Sequence, residues 1–463
     1  MNTQQIIDEQ SIEQLISSHV TENPEAVRAI LKKALSLKGL STEEVATLLP
    51  IQSNELLDQL LQTAKQVKEM IYGNRIVMFA PLYISNLCGN DCAYCAFRAT
   101  NQAIKRRALT QAEIAQEVRQ LIDQGHKRVL LVAGESYPQS GFQYVLDAIA
   151  TVYNTKTDRG SIRRLNVNIA PLDREDFHRL KQANIGTYQL FQETYHRETY
   201  SKVHLGGKKR EYDWRLTAID RAMLSGIDDV GVGVLFGLAD WRFEILALLQ
   251  HTEYLNAKYG VGPHTISVPR LEPALGSNIA TSPPHPVSDM DFAKIIAILR
   301  LAVPYTGIIL STRESPETRR AALALGISQI SAGSRTNPGG YSSENDQELA
   351  GQFALGDHRS LDEVIYDIAS MGYLPSFCTA CYRLGRTGHD FMDLAKPGEI
   401  KHFCSPNALA TFEEYLIDFA APKTREVGEQ LIQQELEKMS TKAHTLAAEL
   451  LEQVKAGKRD VFV

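Results

Sequence analysis

Three cysteines stand at Cys88, Cys92 and Cys95, with three and then two residues between them, at the end of an apolar run from Ile76 to Ser85. Thiols this close cannot all bridge one another, and three is one short of a closed four-cysteine metal site. They can hold three irons of a 4Fe–4S cluster and leave the fourth iron open to a ligand. An open iron is a place for chemistry, and the rest of the chain has to contain it.

The chain has six cysteines, and the other three, Cys378, Cys381 and Cys404, form a Cys-x2-Cys pair followed by a third. A disulfide framework belongs to short exported chains, and this one has 463 residues and no export signal. Two triads at metal-ligand spacing are the better reading. A structural zinc or a plain electron-transfer cluster would want a fourth ligand nearby, and no histidine lies within 20 residues of the first triad. Net charge is −6 and no basic run is longer than three residues, as in Lys208-Lys209-Arg210, which argues against nucleic acid as a partner. No apolar stretch approaches the ~18 residues of a membrane span, and the first residues are polar. A soluble, cytoplasmic protein is expected.

With 44% hydrophobic residues the chain can build a sizeable core. Residues 1–70 read as a helical lead-in, with a capping box predicted at Ser41 and Glu44. From Arg75 the text alternates between short β-rich runs and amphipathic helices. Strands are predicted over 76–85, 128–133, 165–170, 187–191, 229–235, 265–268, 307–310 and 328–331. Helices are predicted between them, including 110–124, 174–182, 214–224, 243–258 and 289–301. Eight alternations match a (β/α)8 TIM-type barrel over 71–340; a doubly wound open sheet is the alternative. Polar and glycine text falls at the predicted strand ends, where such barrels carry their chemistry. A polar loop from Ser342 to about Gln347 opens a C-terminal extension, 341–463, with helices over 361–371, 408–419 and about 424–456.

The Cys-x3-Cys-x2-Cys motif, with Tyr94 before its last cysteine, resembles the radical S-adenosylmethionine (SAM) superfamily. That resemblance implies a barrel whose cluster binds SAM and cleaves it reductively. Val132-Ala133-Gly134-Glu135 is similar to the family's loop for the SAM amino group. Gln192-Glu193-Thr194-Tyr195-His196 and Leu310-Ser311-Thr312-Arg313-Glu314-Ser315 resemble the aromatic-amino-acid branch, which includes the tyrosine lyase of thiazole biosynthesis. Carried over, Tyr94, Gly134, Glu135, Glu193 and Arg215 would bind SAM, and Arg313 and Ser331 the carboxylate of an amino acid. Charge alone also allows Glu193 and Arg215 as an internal ion pair, and Arg313 as a rim salt bridge with Glu314 or Glu317.

Cys378-Thr-Ala-Cys381, the Tyr-Arg-Leu-Gly-Arg-Thr-Gly-His-Asp-Phe-Met text after it, and Cys404 resemble the C-terminal motif of the FeFe-hydrogenase maturases. This resemblance implies a radical SAM carbon–carbon lyase that cleaves L-tyrosine to p-cresol and dehydroglycine. An auxiliary 4Fe–4S cluster on the extension, with a fifth iron, would then turn dehydroglycine into CO and cyanide for hydrogenase assembly. His264 is the candidate ligand to that iron, against a core or capping role, with His389 and His402 as competitors. An electron donor and the other maturases are the partners implied. The alternatives are a tyrosine lyase that stops at dehydroglycine, which leaves the second triad unused, and an iron–sulfur scaffold without SAM cleavage.

Overall fold

The computed structural model describes Thr3 and residues 6–343 and 351–463. Eight parallel strands close into a ring in sequence order. They are β1 (Arg75–Ser85), β2 (Arg128–Ala133), β3 (Arg164–Asn168), β4 (Tyr188–Gln189), β5 (Val230–Gly233), β6 (Thr265–Ser267), β7 (Gly307–Leu310) and β8 (Gln329–Ser331). Closure depends on β1, which pairs with β2 from Ala80 to Ser85 and with β8 from Val77 to Phe79. All eight lie where the apolar runs predict them, and the ring excludes the open doubly wound sheet. Parallel strands in such a ring are covered on both faces, and β1 is buried at every position after Arg75. Outside the ring lie the expected helices, among them Gln111–Asp123, Arg174–Gln182, Trp241–Tyr259 and Asp289–Ala302.

Four helices, Glu9–Ser18, Pro24–Ala34, Thr42–Leu48 and Asn54–Tyr72, precede the barrel, and the Ser41–Glu44 capping box is formed. They are tied down by Lys294, a buried ammonium that donates to the carbonyls of Leu49 at 3.0 Å and Ile51 at 2.8 Å. Cations suit carbonyls freed at a helix end. Among the described residues no helix is long and apolar enough to cross a membrane.

A ninth strand, β9 (Leu374–Ser376), runs parallel to the base of β1, pairing Arg75 with Leu374 and Val77 with Ser376. It brings the C-terminal extension under the barrel, at the end opposite the first triad.

Three helical expectations need correction. The helix expected over 214–224 is two pieces, Tyr212–Leu216 and Ala218–Leu224, parted at Thr217. Arg221 reaches back across the break to the Trp214 carbonyl (2.7 Å) and the Thr217 hydroxyl (2.8 Å). The helix expected from residue 408 begins at Lys401 and runs through Pro406 to Asp418. The single long helix expected over 424–456 is a pair, Pro422–Glu437 and Thr441–Lys455, with extended Ser440 at the turn. Folding back lets both halves bury apolar residues, Leu431 and Ile432 from one and Leu450, Leu451 and Val454 from the other. One straight rod would carry part of that stripe away from the protein. Residues 344–347 of the polar loop expected after Tyr341 lie outside the described residues.

Candidate active site and a second cysteine centre

The loop after β1 is shaped by its own polar residues. Arg106 donates to the carbonyls of Asn86 (2.9 Å), Phe97 (2.7 Å) and Asn101 (3.2 Å), while the Asn86 side chain accepts the Arg107 N–H at 2.6 Å. Asp91–Cys92 forms a short antiparallel pair with His204–Gly206. All six cysteines are free thiols. Burial pushes the Cys95 thiol up to about 11 and raises Cys92 further; Cys88 is raised by burial and then by the neighbouring Glu135 carboxylate. Protein surroundings alone thus hold these sulfurs protonated, and a cationic iron centre is what would ionise all three. Cys92 feels the charges of both Cys95 and Cys88, and three thiols so gathered are the donor type that a 4Fe–4S cluster takes.

Beside the triad lies a buried network that joins residues from four parts of the chain. Arg215 Nη1 meets Glu135 Oε1 at 2.8 Å, and its Nη2 lies 3.7 Å from Glu193 Oε1. Lys209 Nζ pairs with Glu193 at 2.7 Å. Asn90 binds both halves, donating to Glu135 Oε2 at 2.7 Å and accepting the Lys209 N–H at 3.0 Å. Burial works to raise the Glu135 carboxyl, but Arg215 and Lys209 outweigh it and hold that carboxyl below the usual range. Two carboxylates and two cations leave the network balanced in charge. Gly134 is required beside it: a Cβ there would stand 2.2 Å from the Leu87 carbonyl oxygen. Glu193 takes a left-handed φ of 72°, a strained choice for a residue other than glycine. The structure therefore unites Gly134, Glu135, Glu193 and Arg215, and the ion pair that charge allowed is present, with Glu135 as its nearer acid. Tyr94 completes the rim, its hydroxyl 2.9 Å from His204 Nε2. Asn90 and Lys209 were missed from the sequence, although Lys209 is the centre of the basic run Lys208-Lys209-Arg210.

A cavity of about 150 Å³ opens inside the barrel, lined by Tyr83, Tyr94, Cys95, Glu193, Arg313 and Ser331 among others. Among the described residues the Arg313 guanidinium has no hydrogen-bonded or ionic partner; its one neighbour of note is the Phe353 ring, whose centroid is 3.3 Å away. Glu314 turns instead to Arg270, whose Nε is 2.9 Å from it, so the rim salt bridge with Glu314 is not made. The Ser331 hydroxyl accepts the Thr312 N–H at 3.2 Å. A half-buried guanidinium with a free planar fork is a receptor for a carboxylate.

The second triad lies at the other mouth of the barrel. Cys378 follows β9, Cys381 sits in the short helix Ala380–Arg383, and Cys404 in the first turn of Lys401–Asp418. They face a cavity of about 50 Å³ together with Arg75, Arg128, Arg164 and His264. Arg75, Arg128 and Arg164 each open a strand, so the barrel's register sets three guanidinium groups at one rim. Among the described residues the Nε atoms of Arg75 and Arg128 are buried without a partner. Of the pair Cys381 and Cys404, Cys404 is held toward thiolate by a hydrogen bond from Cys381, against burial, with help from Arg75, Arg386 and Arg128. This centre too fits an anionic, thiolate-held cluster. His264 stacks on Phe391 with ring centroids 4.1 Å apart and lies 3.4 Å from Asp229. Burial depresses its ring to about 4, which leaves a neutral imidazole with a lone pair to give. His389 packs against Gly260, and exposed His402 pairs with Glu399 at 3.4 Å; neither lines the cavity. The three arginines were not singled out from the sequence.

The sequence matches the Radical SAM superfamily over residues 82–248 and the Biotin and Thiamin Synthesis associated domain over 267–374. It is 34% identical to 2-iminoacetate synthase of Escherichia coli (strain K12) over 348 residues, 75% of this chain and 89% of that protein. Its fold superposes on a crystal structure of HydG, a maturase of the FeFe-hydrogenase, with a TM-score of 0.95 and 48% identity, covering 99% of this chain and 100% of that one. The FeFe-hydrogenase maturase HydG from Carboxydothermus hydrogenoformans gives 0.85 and 41%, covering 97% and 99%. The likeness to the synthase leaves a quarter of this chain unmatched, whereas both HydG chains run almost its full length.

Proposed function

The chain belongs to the radical SAM superfamily, in company with 2-iminoacetate synthase and HydG, and on that premise we propose that it is an L-tyrosine lyase that goes on to make CO and cyanide for hydrogenase assembly. The observation that carries the reading is the pairing of two cysteine centres at opposite mouths of one barrel, with an unpartnered Arg313 in the cavity between them. A lyase that stopped at dehydroglycine would have no work for the second centre.

In this reading Cys88, Cys92 and Cys95 hold the first 4Fe–4S cluster, and Cys378, Cys381 and Cys404 hold the auxiliary one, with His264 as ligand to a fifth iron. When bound, the first cluster supplies the electron that splits SAM into methionine and a hydrogen-abstracting radical, and the auxiliary cluster supplies iron on which diatomic products are collected. The protein's own residues do the rest. Glu135, Glu193 and Arg215 receive the charged ends of SAM, Gly134 lets the chain approach it, and Tyr94 packs at its side. Arg313 and Ser331 fix the tyrosine carboxylate, so the Cα–Cβ bond is presented in one orientation. Barrel walls exclude water from the cleavage site, which releases p-cresol and dehydroglycine. Arg75, Arg128 and Arg164 give the lower cavity a positive lining, suited to a carboxylate fragment and to cyanide. Electrons would come from a low-potential donor, and the products would go to other maturases.

The test is anaerobic reconstitution with iron and sulfide, then SAM, a strong reductant and L-tyrosine, with p-cresol and CO assayed together. Both products are expected. p-Cresol without CO from protein carrying both clusters would reduce the function to a lyase that stops at dehydroglycine. SAM cleavage with neither product would refute tyrosine as substrate, and bound iron without SAM cleavage would leave a scaffold.

A further inference from the structure

Gln352 stands between the first cysteine triad and the barrel cavity, and none of the roles above uses it. Its backbone is held on both sides: the N–H donates to Thr336 O at 3.0 Å, and the carbonyl accepts the Ala96 N–H at 3.3 Å, next to Cys95. The side-chain amide is oriented by Tyr83, whose hydroxyl donates to Oε1 at 2.7 Å. With its oxygen so engaged, the amide turns Nε2 to the Cys95 sulfur at 3.8 Å. Tyr83 lines the cavity that holds Arg313 and rests edge-on against Phe97, with centroids 6.0 Å apart. The following residue, Phe353, covers the Arg313 guanidinium at 3.3 Å. Two consecutive side chains therefore touch, respectively, a cysteine of the triad and the one unpartnered cation of the cavity.

We propose that Gln352 is a positioning residue that tunes the first cluster through Cys95 and, with Tyr83 and Phe353, makes that tuning depend on whether the substrate cavity is filled. The inference rests on the function proposed above. An N–H directed at a cluster thiolate draws electron density from the sulfur and favours the more negative, reduced state, so it raises the reduction potential. A carboxylate arriving at Arg313 meets a guanidinium already covered by Phe353. Any adjustment of that stack is passed along one peptide unit to Gln352. Electron entry is thereby linked to the presence of substrate, which would keep SAM from being spent in an empty site.

The experiment is a redox titration of reconstituted holoenzyme with and without L-tyrosine, following the SAM-sensitive EPR signal of the first cluster. In wild type the potential is expected to rise when tyrosine is added, and a fall overturns the proposal. Gln352→Leu removes the donor, and Gln352→Glu keeps the shape but turns an oxygen to the sulfur. Both are expected to titrate at a more negative potential, Glu further than Leu, and to lose the response to tyrosine. Either loaded variant titrating at the wild-type potential overturns the proposal, as does a wild type indifferent to tyrosine. A wild type that takes up no SAM-sensitive cluster would overturn the proposed function as well, which separates the two failures.

Discussion

Arg215 Nη1 lies 2.8 Å from Glu135 Oε1, an ion pair that joins the end of β2 to a helix 80 residues later in the chain and closes the wall beside the first triad. Both partners are largely shielded, with side-chain exposures of 4% and 16%. Arg215→Met would leave Glu135 and Glu193 to share Lys209. Breaking a buried pair in this way is expected to cost about 3 kcal/mol and to abolish tight SAM binding. The cost should depend on pH. Because Glu135 is held below its ordinary 4.5, the pair's stabilisation is complete above about pH 4.5 and is lost as pH falls through the lower folded value. Urea unfolding of wild type and variant at pH 7 and at successively lower pH down to about pH 3 checks this; a difference that does not shrink as pH falls would refute the assignment.

Arg313→Ala is expected to raise the tyrosine KM by about 100-fold or more, the equivalent of about 3 kcal/mol for a carboxylate left without its partner. Arg313→Lys should restore little of it, since an ammonium lacks the planar fork. Initial rates of p-cresol formation against tyrosine concentration measure the effect, and an unchanged KM in the alanine variant removes Arg313 from the substrate site.

Alanine at Cys88, Cys92 or Cys95 should end SAM cleavage altogether. Alanine at Cys378 or Cys381 should leave p-cresol formation and remove CO. Deoxyadenosine, p-cresol and CO measured on one preparation of each variant give the answer. If a folded Cys381→Ala chain makes neither p-cresol nor CO, the division of labour between the two mouths is wrong.

His264→Phe keeps a ring to stack on Phe391 and removes the ligand nitrogen. The expected result is a loss of about one iron per chain relative to the wild type, with p-cresol retained and CO lost. Unchanged iron content and CO yield would return His264 to a packing role against Asp229.

What could be read from the sequence was what is local in the chain. The first triad is a spacing of a few residues, and the strands are runs of Val, Ile and Leu bounded by polar text. The capping box from Ser41 to Glu44 is a four-residue pattern, and it forms. What escaped depends on register. Asn90 matters because it meets Lys209, 119 residues away, and Gln352 because it reaches Cys95, 257 residues away. Arg75, Arg128 and Arg164 are unremarkable as strand-opening residues until the barrel closes and sets them at one rim. The turn at Ser440 was hidden by continuous charged, helix-favouring text on either side. The fold-back there follows from packing of both halves against Lys401–Asp418, a tertiary contact.

The pairing of β9 with the foot of β1 also imposes an order in time. The ring of eight strands can close once β8 has left the ribosome, and the loop bearing Cys88, Cys92 and Cys95 then has its barrel scaffold and waits only for Gln352, which holds Ala96 and reaches Cys95. Arg75–Val77 keeps an unpaired edge until Leu374–Ser376 has been synthesised, and the last thiol of the lower centre arrives later still. N-terminal parts fold first during synthesis, and exposed strand edges invite wrong partners in the interval. The chain thus builds the mouth with the first triad before the floor with the second, and shortening it at the end of the eight-stranded ring would expose a strand edge as well as remove a centre.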